Sequence, residues 1–349
     1  MLDEPTNHLD IEGICWLEEL LKEPEFAFVL VTHDRYFLEN VTNRMVELNR
    51  SFPKGFLRVD GSYSDFLLHR EAMLDNQLQL ETVLANKLRR ENEWLNRGPK
   101  ARTSKARFRI EEAYKLRDDH SDVRKRNLTS FTVGFNFDGT ERRTKKLVEA
   151  KEISKTLGGK QLFSGLDVTL SPDTCVGLLG RNGTGKSTLI SILAGKQNSD
   201  AGTIRHADDL KVTVFDQQRE QLDQSQSLKQ ALAPAGDSVV YGGRSVHVNS
   251  WAKRFLFDPE KLELPVEQLS GGEQARILIA NLMLQPADIL FLDEPTNDLD
   301  IASLEVLENS IADFPGAVVL VTHDRFLLDR LATDIIGFDG EGQATHYAD

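Results

Sequence analysis

The sequence predicts an α/β protein: a partial first copy of one domain, a helical hairpin, and a second copy that is nearly whole. Three observations carry this prediction. Leu2-Asp3-Glu4-Pro5-Thr6-Asn7-His8-Leu9-Asp10-Ile11 returns as Leu292-Asp293-Glu294-Pro295-Thr296-Asn297-Asp298-Leu299-Asp300-Ile301, and Val29-Leu30-Val31-Thr32-His33-Asp34-Arg35 returns as Val319-Leu320-Val321-Thr322-His323-Asp324-Arg325, both 290 residues on. Short apolar runs at 26–31, 175–179, 289–292 and 317–321 have the length of buried strands. Met73, Leu80, Leu84, Leu88 and Leu95 are spaced 7, 4, 4 and 7 apart, a helical stripe.

In chain order, residues 1–61 read as the tail of an α/β domain, with a strand stub and loop (1–10), a helix (11–21), a strand (26–32), and a short helix and strands to Gly61. Residues 62–128 read as a charged helical hairpin. Gly98-Pro99 breaks its first helix, and its second runs from about 102 to 117. A single apolar stripe packs one face only and leaves the other for a partner. A strand at 130–137 and a polar connection at 139–146 lead into the second copy, 129–349, whose motifs lie within 147–349.

Composition narrows the function classes. The chain has 349 residues, 40% hydrophobic and 28% charged, as a globular protein does. No apolar run approaches the roughly 20 residues that cross a bilayer. The N-terminus opens on acidic residues rather than on a basic and then apolar leader. Cys15 and Cys175 lie in different copies, so no disulfide is expected and a reducing cytoplasm suits them. A net charge of −13 argues against nucleic acid binding over the whole surface. The charge is uneven, however: residues 87–117 hold eleven bases and four acids, a local excess of +7.

Three motifs carry chemistry. Gly180-Arg181-Asn182-Gly183-Thr184-Gly185-Lys186-Ser187-Thr188 fits the phosphate-loop pattern between an apolar strand run and a helical one. Its glycines let backbone N–H groups turn toward phosphate oxygens, with Lys186 reaching the β- and γ-phosphates and Ser187 a Mg²⁺ ion. The run 289–292 delivers Asp293 and Glu294 to the carboxyl edge of a sheet, where ligands bind in such folds. Asp293 suits the Mg²⁺ shell, and Glu294 suits deprotonation of an attacking water. Leu269-Ser270-Gly271-Gly272-Glu273-Gln274 precedes an amphipathic stretch and offers an anion site at a helix start.

Phosphate loop, LSGGEQ, LFLDEP, Asn297-Asp298-Leu299-Asp300 and the His323 after a strand together resemble an ATP-binding cassette domain over residues 147–349. The resemblance implies a mixed α/β cassette fold with a helical subdomain, and ATP and Mg²⁺ as ligands. It implies that Gln217, with Gln218 as a near alternative, reaches Mg²⁺ and the water. It implies that His323 touches the γ-phosphate, and that the LSGGEQ serine and glycines close on ATP held by an opposite domain. Where the family stacks adenine on an aromatic residue, this sequence has Leu157, which puts that stacking and base selectivity in question.

Two cassettes without a membrane span, a charged hairpin between them and the repeated Glu-Pro-Thr-Asn-x-Leu-Asp resemble the ABC-F family, soluble ATPases of the ribosome. The stretch 239–248 resembles the Uup subgroup. The resemblance implies that the hairpin contacts tRNA and ribosomal RNA, with Arg97, Lys100, Arg102, Lys105, Arg107 and Arg109 as candidate contacts. Bases on a rigid hairpin suit phosphate backbone and shape rather than base reading. Uup relatives also resemble DNA-binding proteins through a C-terminal coiled coil; no such segment is found up to Asp349, so DNA binding is not expected. The runner-up is the ATPase subunit of a membrane transporter.

The first copy supplies Asp3, Glu4 and His33 but no phosphate loop within this sequence. The family's sites take a phosphate loop from one domain and LSGGEQ from the other. The expectation is therefore a fragment that binds ATP and turns it over poorly, unless the missing first-cassette half or a second chain completes the sites.

Overall fold

The computed structural model describes residues 1–7, 9–49, 51–96, 104–128, 146–215, 222–241, 243–297 and 299–348. The chain forms two compact units, Met1–Tyr36 with Val133–Asp349, and Phe37–Thr132. This division falls earlier in the chain than residue 61: the strands that follow Phe37 stand with the hairpin.

The chain opens with β1 (Leu2–Asp3), α1 (Ile11–Lys22) and β2 (Leu30–Val31), followed by α2 (Arg35–Val41). β1 and β2 pair in parallel, Leu2 with Leu30 and Asp3 with Val31. The Asp10 carboxylate caps α1 by accepting from the Gly13 N–H at 3.0 Å, as short polar side chains do at helix starts. The apolar run 26–31, read as a buried strand, is ordered as strand at two residues only, and Phe26, Val29 and Val31 are exposed. Among the described strands its one neighbour is the two-residue β1, which is too little to bury it.

In the second unit, β3 (Arg44–Leu48) and β4 (Phe56–Asp60) form an antiparallel pair ahead of α3 (Tyr63–Asn96) and α4 (Ser104–Leu128). The hairpin is thus as expected in kind, but α4 runs eleven residues beyond 117. The polar run 118–122 contains no glycine or proline to end it, and Ala113, Val123 and Asn127 fall on a buried face. The stripe also differs. Leu80 is 46% exposed, while Gln77 is buried, because the packed face advances by 73, 77, 81, 84 and 88 and passes Leu80 by. The Asn127 amide donates to Gln77 O at 3.3 Å and to Glu81 Oε2 at 2.6 Å, joining the two helices by polar groups.

The rest of the first unit begins with the antiparallel strands β5 (Val148–Leu157), β6 (Lys160–Leu170) and, after β7 (Cys175–Leu179) and α5 (Lys186–Leu193), β8 (Ala201–His206). It continues through β9 (Val212–Phe215), α6 (Leu228–Leu232), the hairpin β10 (Ser238–Tyr241) and β11 (Arg244–His247), α7 (Val248–Arg254) and α8 (Gly271–Met283). The last elements are β12 (Ile289–Asp293), α9 (Ile301–Ala312), β13 (Ala317–Val321), α10 (Arg325–Leu331), β14 (Asp334–Phe338) and β15 (Ala344–Ala348).

The main sheet has the order β15-β14-β7-β13-β12-β9, parallel except for the edge strand β15. Strands β7, β12 and β13 are buried on both sides, as their unbroken apolar runs predict. One apolar cluster joins this sheet to the β5-β6-β8 sheet, and another joins it to α6, α7, α8 and α9 around Trp251 and Phe255. Both layers press on the strands whose carboxyl ends carry the motifs. Cys15 and Cys175 are free thiols. Among the described residues no helix is long and apolar enough to cross a membrane. The expected strand at 130–137 and the connection at 139–145 lie outside the described residues.

Candidate functional site

β7 ends at Leu179 and α5 begins at Lys186, so the phosphate loop spans residues 180–185 between strand and helix. Gly180, Gly183 and Gly185 have φ of 150°, 77° and 112°, a region that side chains rarely enter. A Cβ at Gly180 would lie 2.9 Å from the Phe338 carbonyl oxygen, and one at Gly185 2.9 Å from Leu162 Cβ. Glycine therefore allows both the turn and the close packing around it. Thr184 is buried and its hydroxyl donates to Arg181 O at 2.9 Å, bracing the loop from within. Lys186 folds back over the loop and donates from Nζ to Gly180 O at 2.6 Å and Arg181 O at 3.0 Å. Burial holds its ammonium below the usual lysine range, against the charges of Glu294 and Asp293. Arg181, Asn182, Gly183 and Ser187 are exposed, and Thr188 is half-buried in the first turn of α5.

Asp293 ends β12, and Glu294 follows with φ of 49° and its N–H on Val321 O at 2.8 Å. This left-handed turn carries the Glu294 carboxylate to His323, with Oε1 3.2 Å from Nε2. The same Nε2 lies 3.4 Å from Asn182 Oδ1 in the phosphate loop. Burial, then the neighbouring Asp293 charge, push the Glu294 carboxyl up to about 7, with Lys186 opposing. Burial and the Lys186 charge hold His323 below the usual histidine range, so its ring is neutral near neutral pH. Glu294 Oε2 and His323 Nδ1 are buried and have no hydrogen-bond partner among the described residues. A buried acid near neutrality, a neutral imidazole, an ammonium and a glycine cradle converge at one sheet edge. These groups fit a phosphate ester and a water to be deprotonated.

The first copy repeats the local geometry. Glu4 has φ of 42°, its N–H donates to Val31 O at 2.8 Å, and its Oε1 is 3.3 Å from His33 Nε2. The Thr6 and Thr32 hydroxyls meet at 3.0 Å, and those of Thr296 and Thr322 at 2.9 Å. Asp300 caps α9 through the Ser303 N–H at 2.7 Å, as Asp10 caps α1. Asp3 is exposed at the end of β1. Burial raises the Glu4 carboxyl, and His33 opposes it. A cavity of about 210 Å³ lies between the copies, and Thr6, Asn7 and His33 line it opposite their counterparts Thr296, Asn297 and His323. Counterpart residues of the two copies thus border one cavity, with Glu294 and Asn182 opening onto the same space.

The sequence reading missed Asp10. Its charge, from the first copy, reaches both Lys186 and His323 of the second. Its signal was present in the repeated Leu-Asp after Thr-Asn, which could be matched in sequence but not placed in space.

The LSGGEQ segment begins α8. Leu269 is buried, and Ser270 is the cap, accepting from Glu273 N at 3.3 Å and donating to Glu273 Oε2 at 3.0 Å. Gly271 and Gly272 form the first turn, whose N–H groups lack partners within the helix. Gln274 donates to Val266 O at 3.1 Å and Leu269 O at 3.2 Å, closing the loop before the helix.

Gln217, Gln218, Arg97, Lys100 and Arg102 lie outside the described residues, and for Lys105, Arg107 and Arg109 the helix backbone alone is described. Among the described residues no group of three or more His, Cys, Asp or Glu side chains is placed to hold a metal. The donors at hand are Ser187 and Asp293, a set that fits Mg²⁺ only with phosphate oxygens and water completing it. Leu157 sits exposed at the β5–β6 turn.

The family model of the ABC transporter domain matches residues 163–297. The energy-dependent translational throttle protein EttA of Haemophilus influenzae is 34% identical over 347 residues, covering 99% of this chain and 61% of that protein. The ATP-binding protein Uup of Caulobacter vibrioides is 38% identical, covering 98% and 56%, and Uup of Escherichia coli K12 35% identical, covering 99% and 54%. The chain thus spans little more than half the length of these relatives. A chain in the crystal structure of archaeal ribosomal stalk protein aP1 with the ribosome recycling factor aABCE1 shares the fold, with a TM-score of 0.62 at 20% identity over 98% of this chain and 59% of that one.

Proposed function

We propose that the chain is an ATP-binding cassette protein of the ABC-F kind, and that it binds ATP at Lys186 and hydrolyses it as part of a two-cassette clamp acting on the ribosome. The observation that carries the reading is the junction of phosphate loop, Glu294 and His323 at one sheet edge. Lys186 exchanges its two loop carbonyls for the β- and γ-phosphates. Ser187 and Asp293, with Gln217, would hold the Mg²⁺, which when bound neutralises charge on the phosphates. Glu294 takes the proton of the attacking water; burial raises its basicity toward neutral pH. His323, kept neutral, donates from one ring nitrogen toward the γ-phosphate. Ser270, Gly271 and Gly272 face the ATP of an opposing cassette, for which Ser270 leaves its bond to Glu273.

Residues 1–61 are read as part of a first cassette, 62–128 as an arm for tRNA and ribosomal RNA, and 129–349 as the second cassette, in a cytoplasmic protein. The β10–β11 hairpin is read as a Uup-like feature. EttA is named for translation and aABCE1 for ribosome recycling. Within these 349 residues the phosphate loop and LSGGEQ belong to one copy, so full turnover needs the corresponding pieces of another cassette.

The test has two arms. Nucleotide binding should be lost by about 10- to 100-fold in Lys186→Ala, as expected for a charge-assisted contact; equal affinity in both proteins would refute the ATP site. Co-sedimentation with ribosomes in the presence of ATP supports the ribosomal reading. Recovery with membrane vesicles instead would favour the ATPase subunit of a transporter.

A further inference from the structure

The two copies meet through a contact that is its own mirror. Arg35, directly after His33-Asp34, pairs with Glu308 on α9 at 2.7 Å. Arg325, directly after His323-Asp324, pairs with Glu18 on α1. Arg35 and Arg325 are 290 residues apart, and so are Glu18 and Glu308. The aromatic neighbours follow suit. The Arg35 guanidinium lies 4.4 Å from the Phe326 ring centre and that of Arg325 5.3 Å from Tyr36, with the two rings 6.1 Å apart. One patch thus meets its own copy, as in a twofold interface.

We propose that Glu18 is a positioning residue for the nucleotide site of the second copy, fixing His323 through Arg325. The proposal rests on the ATP reading above. Residues 322–324 form one short link between β13 and α10, and Arg325 opens α10. The link is stiff: Asp324 N–H donates to the Thr322 hydroxyl at 3.0 Å, and the Asp324 carboxylate accepts from Leu327 N at 3.1 Å. An anchor on Arg325 is therefore an anchor on His323, two residues back. Glu18 is 6% exposed and Arg325 22%, so water screens their pairing little.

α1 reaches the site at other points as well. Its cap Asp10 acts on Lys186 and His323 by charge, and Glu12 pairs with Arg181 in the phosphate loop, Nε to Oε1 at 2.7 Å. The reverse contact is missing: Ala302 stands where the repeat would place Glu12. The first copy's helix thus grips the second copy's site from the phosphate loop to the histidine link. Since the histidine faces the terminal phosphate, the grip acts on ATP rather than on ADP.

The experiment titrates fluorescent ATP and ADP analogues with Mg²⁺ into this chain. The wild type is compared with Glu18→Gln, Glu18→Asp, the charge swap Glu18→Arg with Arg325→Glu, and Glu308→Gln, each checked for a cooperative melt. Glu18→Gln is expected to lose at least about 5-fold in ATP affinity, the lower end of couplings between sites, with ADP affinity within about twofold. Glu18→Asp, which keeps the charge on a shorter arm, should lose part of it and remains informative should Glu18→Gln fail to fold. The swap should restore the ATP preference. Glu308→Gln, whose partner Arg35 adjoins His33 of the copy that supplies no phosphate loop here, should leave the ATP-to-ADP ratio unchanged. ATP and ADP weakening together, or an unchanged ratio in the Glu18 variants, overturns the proposal. A wild type that binds neither nucleotide overturns the ATP reading and this proposal with it.

Discussion

Glu4 and Glu294 occupy equal places in the two copies, yet they are chemically different groups. Both sit in a left-handed turn after a strand, both bond a strand carbonyl at 2.8 Å, and their contacts to histidine are 3.3 and 3.2 Å. The repeated sequence is enough to produce this local shape. What it does not produce is the environment. Strand β12 lies in the interior of a six-stranded sheet, while β1 has β2 alone among the described strands. Burial and then the Asp293 charge beside it move Glu294 up to about 7, against the opposing pull of the Lys186 ammonium. The same motif thus encodes geometry twice, and a carboxyl near neutrality beside a phosphate loop once.

The largest expected effect breaks the comparison at its chemistry. Glu294→Gln should lower the hydrolysis rate by about 10²- to 10⁴-fold, the usual contribution of a positioned base, while nucleotide still binds. Glu4→Gln should leave hydrolysis at Lys186 within about twofold, because no described phosphate loop lies beside it. Steady-state hydrolysis and nucleotide binding on both variants measure this. An equal loss in the two would show that the copies share one catalytic unit.

The next effect concerns packing. Leu292 and Leu2 are counterparts, but Leu292 is fully buried and Leu2 half-buried. Leu292→Ala is expected to destabilise the fold by about 2–5 kcal/mol, and Leu2→Ala by less than half of that, since little cavity is opened. Denaturant unfolding followed by circular dichroism gives both numbers, and a comparable loss at Leu2 would mean that the first copy is as well packed as the second.

These contrasts mark what the sequence made legible. The strands β7, β12 and β13 and the phosphate loop could be read because each is a continuous apolar run or a spacing pattern that admits few structures. The run 26–31 has the same look, but burial depends on neighbours that no local pattern reveals. The end of α4 at Leu128 was missed because nothing in 118–122 marks a stop or a continuation, and Leu80 was misplaced by a stripe that really passes through Gln77. Cross-copy partners such as Arg35 with Glu308 are 273 residues apart, and their pairing needs the fold. Only in retrospect does the shared offset of 290 residues show that the pairs are reciprocal.

A smaller effect separates the two glutamates by pH. The Glu294 carboxyl stands above its ordinary value of 4.5, at about 7. Its contribution to stability is therefore fully present below 4.5 and is lost as the pH rises through 7. Glutamine stays neutral throughout. In the absence of nucleotide, Glu294→Gln and wild type should melt together near pH 4.5, and the variant should be more stable by up to about 3 kcal/mol at pH 8. Burial also raises the Glu4 carboxyl, with His33 opposing, so Glu4→Gln should show a trend of the same sign. Thermal melts across pH check the sign, and a variant that gains stability toward acid would reverse the assignment.

The smallest effect tests where the two copies differ by one residue. Glu12 pairs with Arg181, yet the two side chains are 62% and 65% exposed. Exposed pairs of this kind contribute about 0–1 kcal/mol, since water and salt compete for both charges. Glu12→Ala makes the first copy match Ala302 of the second and should shift the melting free energy by no more than that, with the shift vanishing in about 0.5 M salt. Glu18, whose carboxylate is nearly excluded from solvent, should instead keep its effect at that salt concentration. If Glu12→Ala proved as costly as Glu18→Gln, the grip of α1 on the phosphate loop would have to be a desolvated contact, and exposure would no longer separate its two acids.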